Sequence, residues 1–108
     1  MLRHISILSL REDVAPETAQ RAVAECHRLR DEVEGLVDCT AGLALSLGDG
    51  SLARELAIPA GMGDLAIVLD FEDADAWAVY ASSPARRLLV EEVLHPIVAE
   101  RRAIQYEI

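Results

Sequence analysis

The first strand of the chain restricts the fold more than any other segment, because it is apolar on both faces. Residues 2–10, LRHISILSL, contain neither Gly nor Pro and are rich in residues that favour β-structure. Since side chains alternate along a strand, one face carries Leu2, His4, Ser6, Leu8 and Leu10, and the other carries Arg3, Ile5, Ile7 and Ser9. Apolar side chains on both faces are typical of a sheet that is covered on both sides.

The rest of the chain predicts three helices and three further strands. Pro16 suits the first position of a helix whose apolar residues recur at helical spacing until Gly35 follows as a stop. Asp73 and Ser83 are suited to cap two shorter helices. The predicted elements are, in chain order, a strand at 2–10, a helix at 16–33, strands at 36–47 and 64–71, helices at 73–82 and from Pro84, and a strand at 101–108.

This order, β-α-β-β-α-α-β, predicts an α+β, ferredoxin-like fold with a four-stranded antiparallel sheet and helices on one face. The helices leave the second face open, although the first strand is apolar there too. Two copies that press these open faces together resolve the conflict. We therefore expect a homodimer with Ile5, Ile7, Ala66 and Val68 in its interface.

Length and charge narrow the classes of function. The 108 residues suffice for one domain, which we expect to span residues 1–108. The formal net charge of −9 argues against nucleic acid and against anionic membrane surfaces as partners. The sequence shows no run of about 18 apolar residues, which a membrane span needs, and we expect no signal segment. A cytoplasmic location is expected.

The chemistry open to the chain is limited as well. All ten basic residues are Arg, so a mechanism through a lysine Schiff base is excluded. Cys26 and Cys39 do not form a CxxC pair, and we expect free thiols. His4, His27 and His95 lie far apart along the chain, so we predict no metal site and expect no cofactor.

Residues 48–62 are unusually apolar for a loop. They begin with the turn signal GDGS and contain Leu52, Leu56 and Ile58. Exposed apolar surface is costly, and long loops in compact domains are often functional. We expect this segment to form a flap over a cavity or to pack at the edge of the dimer.

Several segments resemble a known family. The chain opens with MLRHI, carries DLAIVLDFED at 64–73 and YASSP at 80–84, and closes with a strand. Over nearly its whole length it is similar to the stress-responsive A/B barrel family, a branch of the dimeric α+β barrel superfamily. The resemblance implies a homodimer whose two sheets form a dimeric α/β barrel, and it implies little about function.

A plant polyketide cyclase of this family resembles the chain and suggests a site. It uses a Tyr-x-x-His-Pro-x-His element, whose Tyr falls on Tyr80, whose first His falls on Ser83 and whose second His falls on Arg86. The first-strand His of that enzyme matches His4, and a further pocket His falls on Leu65. The resemblance implies a cyclisation that needs neither metal nor cofactor.

The candidate site combines these positions. His4 is predicted to act as a base, Tyr80 as a proton donor or enolate stabiliser, and Arg86 to polarise a carbonyl at the cavity mouth. The substrate pocket under the helices is expected to include Ser6, Leu8, Val23, Leu65, Leu69 and Leu89. The predicted function is that of a cofactor-independent polyketide cyclase or isomerase acting on a small β-ketone-containing molecule.

Two other functions stay open. A non-catalytic ligand-binding or stress-related dimeric scaffold would use the same pocket, with His4 as a structural residue and Tyr80 as a core aromatic. A haem-degrading or quinol-forming monooxygenase of the same superfamily would need an axial His on a helix, and only His27 and His95 fall on predicted helices. Convergence of His4 and Tyr80 on one cavity separates an enzyme from a scaffold.

Overall fold

Four strands, four helices and one π-helical segment make up the described part of the computed structural model, which covers residues 1–45, 48–57 and 63–108. The strands are β1 (Leu2–Leu10), β2 (Leu36–Leu43), β3 (Leu65–Phe71) and β4 (Val98–Glu107). The helices are α1 (Pro16–Glu32), α2 (Ser51–Glu55), α3 (Ala74–Ala81) and α4 (Pro84–Leu88), which continues into the π-helical segment (Leu89–Leu94). None of the helices in these ranges is long and apolar enough to cross a bilayer.

The strands form one antiparallel sheet in the order β2-β3-β1-β4. β1 lies between β3 and β4, where Ile5 pairs with Val68 on one side and with Ile104 on the other. Helix α1 packs on β2, and the π-helical segment and α4 pack beside α1. The α+β, ferredoxin-like fold that the element order predicts is confirmed.

The predicted helix starts are confirmed, and side-chain caps mark two of them. Pro16 lies in the first turn of α1. The Asp73 carboxylate accepts a hydrogen bond from the Ala76 N–H (2.8 Å) at the start of α3. The Ser83 hydroxyl accepts one from the Arg86 N–H (3.2 Å) at the start of α4. These caps satisfy backbone N–H groups that the first turn of a helix leaves unpaired.

Two strand ends differ from the prediction. β2 ends at Leu43, before the predicted end at residue 47, and residues 46–47 lie outside the described part of the chain. β4 begins at Val98, three residues before the predicted start at residue 101. A register shift between Ser9 and Leu10 lets Val98 pair with Leu10, so the pairing of β1 with β4 extends further than the sequence alternation indicates.

Helix α2 lies inside the segment 48–62 that was predicted as a loop. The Asp49 carboxylate accepts a hydrogen bond from the Ser51 N–H (2.9 Å), and Gly50 has φ 81°, a conformation that favours glycine. Leu52 and Leu56 are 64% and 61% exposed, and neither lines the cavity described below. The expected flap is therefore not formed by α2. Ile58 lies outside the described residues, and packing at the dimer edge stays a prediction.

The core between α1 and the sheet contains both cysteines. Cys26 of α1 and Cys39 of β2 are fully buried, and the Cys39 thiol donates to the Cys26 carbonyl oxygen (3.0 Å). Burial raises the pKa of Cys26 to about 12 and that of Cys39 to about 11. Both stay protonated at neutral pH, and the expected free thiols are confirmed.

The sheet face opposite the helices carries the residues expected in a dimer interface. Ile5 lies beside Val68 there, and Ile7 lies beside Ala66. Ile104 of β4 joins this row and is 60% exposed in the protomer. An apolar stripe therefore crosses three strands of the open face.

Candidate functional site

A cavity of about 80 Å³ lies between the sheet and the helices that follow β3. β1, β3, β4, α3, α4 and the π-helical segment all contribute to its wall. Its lining residues are His4, Ser6, Leu8, Ile67, Leu69, Trp77, Tyr80, Ala81, Arg86, Leu89, Val90, Leu94 and Arg101. Apolar side chains thus surround a few polar ones, which is typical of ligand-binding sites.

Strand register places polar side chains on the helix-covered face. His4 lies opposite Gln105 of β4, and Leu8 lies opposite Arg101. Because directly opposed residues of an antiparallel pair point to the same side, Gln105 and Arg101 share a face with His4. β4 is an edge strand and is exposed over almost its whole length. The β4 side of the cavity is therefore the side nearest to solvent.

Both ring nitrogens of His4 are hydrogen bonded. The Gln105 amide nitrogen lies 2.9 Å from Nδ1, and Nε2 lies 3.1 Å from the Ser6 hydroxyl oxygen. An amide nitrogen only donates, so Nδ1 accepts and the neutral ring carries its proton on Nε2. Nε2 donates that proton to Ser6, which leaves the Ser6 hydroxyl proton for another acceptor.

The surroundings of His4 keep its ring neutral. The residue is 7% exposed. Burial lowers the pKa of His4 below its ordinary value of 6.5, and the positive charges of Arg101 and Arg86 lower it further. Near pH 7 the side chain is an uncharged imidazole, which is the form that a general base requires.

Tyr80 offers a neutral hydroxyl to the cavity. Its ring is buried and packs on Phe71, with ring centroids 5.2 Å apart. Burial raises the pKa of Tyr80 to about 12, so the phenol is a hydrogen-bond donor at neutral pH. Within the described ranges the hydroxyl has no hydrogen-bond partner. No polar side-chain atom in these ranges is both fully buried and without a partner, so the hydroxyl oxygen is not fully buried. Tyr80 lines the cavity, so this donor is available to a ligand bound there.

Arg86 is held over the Tyr80 ring. Its guanidinium carbon lies 5.9 Å from the ring centroid, which is a cation–π geometry. Its Nη1 donates to the Ala81 carbonyl oxygen (3.3 Å), while the Ser83 cap fixes the turn of α4 that carries Arg86. A guanidinium has five N–H donors, so most of them remain for a ligand.

Most of the residues predicted for the site lie around this one cavity. His4, Tyr80 and Arg86 all line it. Four of the six predicted pocket residues line it as well, namely Ser6, Leu8, Leu69 and Leu89. His4 and Tyr80 thus share one cavity.

Val23 and Leu65 lie outside the cavity, contrary to the expectation. Val23 belongs to α1, which packs over β2, and β2 forms the edge of the sheet opposite to β4. Leu65 pairs with Leu8, four residues along β1 from His4, and is buried in the core. The cavity lies under α3, α4 and the π-helical segment, and α1 takes no part in it.

Several residues of the site were not predicted as part of it, and three of them carry aromatic or polar groups, namely Trp77, Arg101 and Gln105. Trp77 lines the cavity from α3, one turn before Tyr80, and this spacing was visible in the sequence. Arg101 and Gln105 alternate with outward residues of β4, so they share one face. Only the pairing of β4 with β1 reveals that this face is the one that carries His4.

The π-helical segment shapes one wall of the cavity. The His95 N–H donates to the Val90 carbonyl oxygen (2.8 Å), a bond between residues five apart. Leu89, Val90 and Leu94 of this segment line the cavity. Such wide turns occur often at functional sites.

The other two histidines lie away from the cavity. His27 accepts a hydrogen bond from the Ala41 N–H (3.0 Å) at the edge of β2, and His95 is exposed after the π-helical segment. Neither lines the cavity, so the axial helix His that a haem-degrading monooxygenase needs is not at this site. In the part of the chain that the structure describes, no three His, Cys, Asp or Glu side chains group as metal ligands.

The chemistry that this arrangement supports is proton transfer with stabilisation of a negatively charged oxygen. The Arg86 guanidinium lies over the Tyr80 ring, and both side chains carry donors that a ligand oxygen can accept from. His4 is a neutral imidazole at the same cavity. Preorganised donors in a site that excludes most water stabilise developing oxyanions strongly.

Solved structures with this fold share little sequence with the chain. A dimeric ferredoxin-like protein of unknown function from Thermobifida fusca is 23% identical, with 99% of this chain and 90% of that chain covered and a TM-score of 0.79. A hydroxynitrile lyase from Passiflora edulis is 16% identical, with 99% and 92% covered and a TM-score of 0.79. A Dabb family protein from Mesorhizobium loti is 16% identical, with 99% and 95% covered and a TM-score of 0.75. At these low sequence identities, the structural similarity shows the fold alone.

The sequence itself matches a family model over almost its whole length. No curated protein sequence matches the chain. The model of the stress responsive A/B barrel domain, Dabb, matches residues 2–108. This match covers every element of the sheet and the whole cavity wall. The chain belongs to the stress-responsive A/B barrel domain family.

Proposed function

We propose that this protein is a homodimer that moves a proton on a small β-ketone-containing molecule without a cofactor, as a polyketide cyclase or isomerase. One observation carries the proposal. A neutral histidine, a tyrosine whose ring is buried and whose phenol stays protonated, and an arginine line one small cavity. A C–H bond between two carbonyl groups is acidic, so such a substrate needs only one base and a few donors that hold the enolate oxygen.

In the proposed reaction His4 removes the proton, while Tyr80 and Arg86 hold the enolate oxygen. The proton on Nε2 must first move to Nδ1. Rotation of the Gln105 amide by half a turn brings its oxygen to Nδ1, which then carries the proton, and Nε2 can act as base once the Ser6 hydroxyl turns away from it. Gln105 is exposed on the edge strand, so this rotation disturbs no core packing. The enolate carbon then attacks a second carbonyl carbon, whose C=O π bond breaks, and the alkoxide formed takes up the proton from the His4 imidazolium as the ring closes. In an isomerisation, His4 returns the proton to another position of the enolate.

The fold is compatible with such an activity. The neighbour from Passiflora edulis is a hydroxynitrile lyase, so a chain of this fold supports a lyase. Its identity of 16% means that no residue role is carried over from it. The assignment of roles rests on the cavity of this chain alone.

The homodimer in this proposal is supported by the open apolar sheet face. Ile7 and Ile104 are 44% and 60% exposed there in the protomer, and neighbours from Thermobifida fusca and Bacteroides fragilis are described as dimeric. A cytoplasmic location is supported by two free thiols, since a reducing compartment keeps cysteines in this form.

A second candidate function, a non-catalytic ligand-binding scaffold, is favoured by one specific observation. Both nitrogens of His4 are engaged by protein groups, Gln105 and Ser6. A histidine in this state donates and accepts within the wall and needs no proton transfer. The same cavity then binds a ligand through Tyr80 and Arg86 without converting it.

Turnover of methyl 3,5-dioxohexanoate, a neutral compound with an acidic CH₂ between two ketones, tests the proposal. NMR in D₂O measures deuterium incorporation at this carbon and any cyclised product. We expect the wild type to accelerate exchange, and His4→Ala and Tyr80→Phe each to lower its rate about 10²-fold or more, the usual scale for general acid–base groups. His95→Ala and Tyr106→Phe are matched controls, because neither residue lines the cavity.

The outcomes separate the two candidate functions. Exchange by the wild type that both site variants match would refute the proposed roles. Binding without any acceleration by the wild type would favour the scaffold. Loss of rate in the control variants to the same extent would mean that the effect does not arise at the cavity.

A further inference from the structure

The charge inside the cavity is opposite to the charge of the whole protein. The chain carries 19 acidic residues against ten arginines and has a net charge of −9. None of the residues that line the cavity, within the described part of the chain, is Asp or Glu. Its two charged lining residues are both arginines, Arg86 and Arg101.

These two arginines reach the cavity from different elements. Arg86 comes from the first turn of α4 and lies over Tyr80, while Arg101 comes from β4 opposite Leu8. Across the described ranges, neither guanidinium has a carboxylate within 4.0 Å, although Arg102 next in the chain pairs with Glu100 (3.6 Å). The site therefore holds two positive charges that the described residues do not neutralise.

The neutral polar groups at the cavity do not balance this charge. His4 lies close enough for both arginines to lower its pKa, and Tyr80 stays protonated. An uncompensated pair of guanidinium groups at a partly buried cavity favours an anion, since charge-assisted hydrogen bonds to carboxylates are among the strongest that proteins make.

We propose that the cavity selects substrates with a carboxylate beside the ketone, that is, short β-keto acids, with Arg101 binding the carboxylate and Arg86 the ketone oxygen. This inference rests on the proposed function, because it names the substrate class of the same site. Arg101 lies on the exposed edge strand and Arg86 lies beside Tyr80. The carboxylate therefore stays near solvent and the reacting ketone lies at the Tyr80 hydroxyl.

A matched pair of ligands tests this selection by binding alone. 3-Oxobutanoate and its methyl ester share a carbon skeleton and differ in charge. Trp77 is the single tryptophan and lines the cavity, so its fluorescence reports occupancy in the full chain. We expect the acid to bind at least about 10-fold more tightly than the ester, the scale of one hydrogen bond to a charged group.

Variants assign the preference to the cavity. Arg101→Gln is expected to reduce the affinity for the acid by about 10-fold and to leave the affinity for the ester unchanged. Arg87→Gln removes the same charge beside Arg86 and lies outside the cavity lining, so it is expected to keep the preference. Arg101 is exposed, and the circular dichroism of each variant checks its fold.

The result does not depend on turnover. Equal affinities of the wild type for acid and ester, no binding of the acid at millimolar concentration, or an equal loss in Arg87→Gln overturns the inference. A clear preference for the acid together with no acceleration of deuterium exchange on any β-ketone supports the anion site and contradicts the proposed catalysis. Accelerated exchange without a preference for the acid supports the proposed catalysis and contradicts the anion site.

Discussion

At His4, burial and hydrogen bonding act together to set the chemistry of one side chain. A polar ring in an apolar wall is costly unless its nitrogens find partners, and Ser6 and Gln105 supply them. The same burial lowers the pKa of the ring, as do Arg101 and Arg86. The arrangement that makes the residue structurally acceptable therefore also makes it a neutral imidazole.

The lowered pKa of His4 makes the stability of the fold depend on pH. In the unfolded chain this histidine takes up a proton as the pH falls through its ordinary pKa of 6.5, while the folded form resists protonation until a lower pH. The unfolded state then binds more protons, so stability falls with pH below about 6.5. We expect His4→Gln to lose less unfolding free energy than the wild type between pH 7.5 and 5.5, measured by urea denaturation. An equal pH dependence in both proteins would contradict the assignment.

At the scale of elements, the strand centres and helix starts were predictable from the sequence. The strand ends that depend on pairing were not. The β-favouring composition of residues 2–10 and the caps at Asp73 and Ser83 are local signals, and the structure follows them. The end of β2 and the start of β4 depend on pairing partners, which a single sequence does not specify. The same holds for helix α2, whose five residues carry too weak a periodicity to separate it from a loop.

The candidate site, too, was predictable from the sequence only in part. Because side chains alternate along β1, His4, Ser6 and Leu8 lie on one face, and this part of the site was predictable from the sequence. The register that brings Arg101 and Gln105 to His4 is a property of the strand pair. The direction in which α1 packs, which excludes Val23, depends on the whole helix layer. Sequence reasoning thus found the residues of the central strand and missed those of the edge strand.

The turn between α1 and β2 provides a test of how closely these elements pack. Gly35 has φ +85°, and a Cβ there would lie 2.7 Å from the Cβ of Ala76 in α3. Gly48 has φ +62° with nothing within 4 Å. We expect Gly48→Ala to cost about 1–2 kcal/mol for the backbone conformation, and Gly35→Ala to cost about 1–3 kcal/mol more for the contact. Urea denaturation measures both, and equal losses would mean that α3 gives way at no cost.

At the scale of the whole molecule, the open sheet face combines an apolar stripe with ion pairs, among them Arg3–Asp70 and Arg102–Glu100. Arg3 donates to both carboxylate oxygens of Asp70, from Nε at 2.7 Å and from Nη2 at 2.9 Å. The Arg3 guanidinium holds the pKa of Asp70 below its ordinary value. Because the two charges satisfy each other, this end of the face can be covered by a second copy without an unpaired charge.

The proposed dimer is tested by two substitutions of equal exposure. Ile104 on the open face is 60% exposed in the protomer, and Val79 on α3 is 62% exposed. We expect Ile104→Asp to give a monomer, because a buried charge without a partner is costly in an interface, and Val79→Asp to remain dimeric. Sedimentation velocity at micromolar protein measures both masses. A monomeric wild type, or a dimeric Ile104→Asp variant, would contradict the interface.

The most direct test of the account is a crystal structure of the protein soaked with methyl 3,5-dioxohexanoate. The cavity lined by His4, Tyr80 and Arg86 is predicted to hold the ligand, with a ketone or enol oxygen about 2.6–3.2 Å from the Tyr80 hydroxyl. Density for the ligand in the groove between α1 and α4, which Leu88 and Glu92 line, would contradict the account. So would a ligand in the cavity whose oxygens all point away from both Tyr80 and His4.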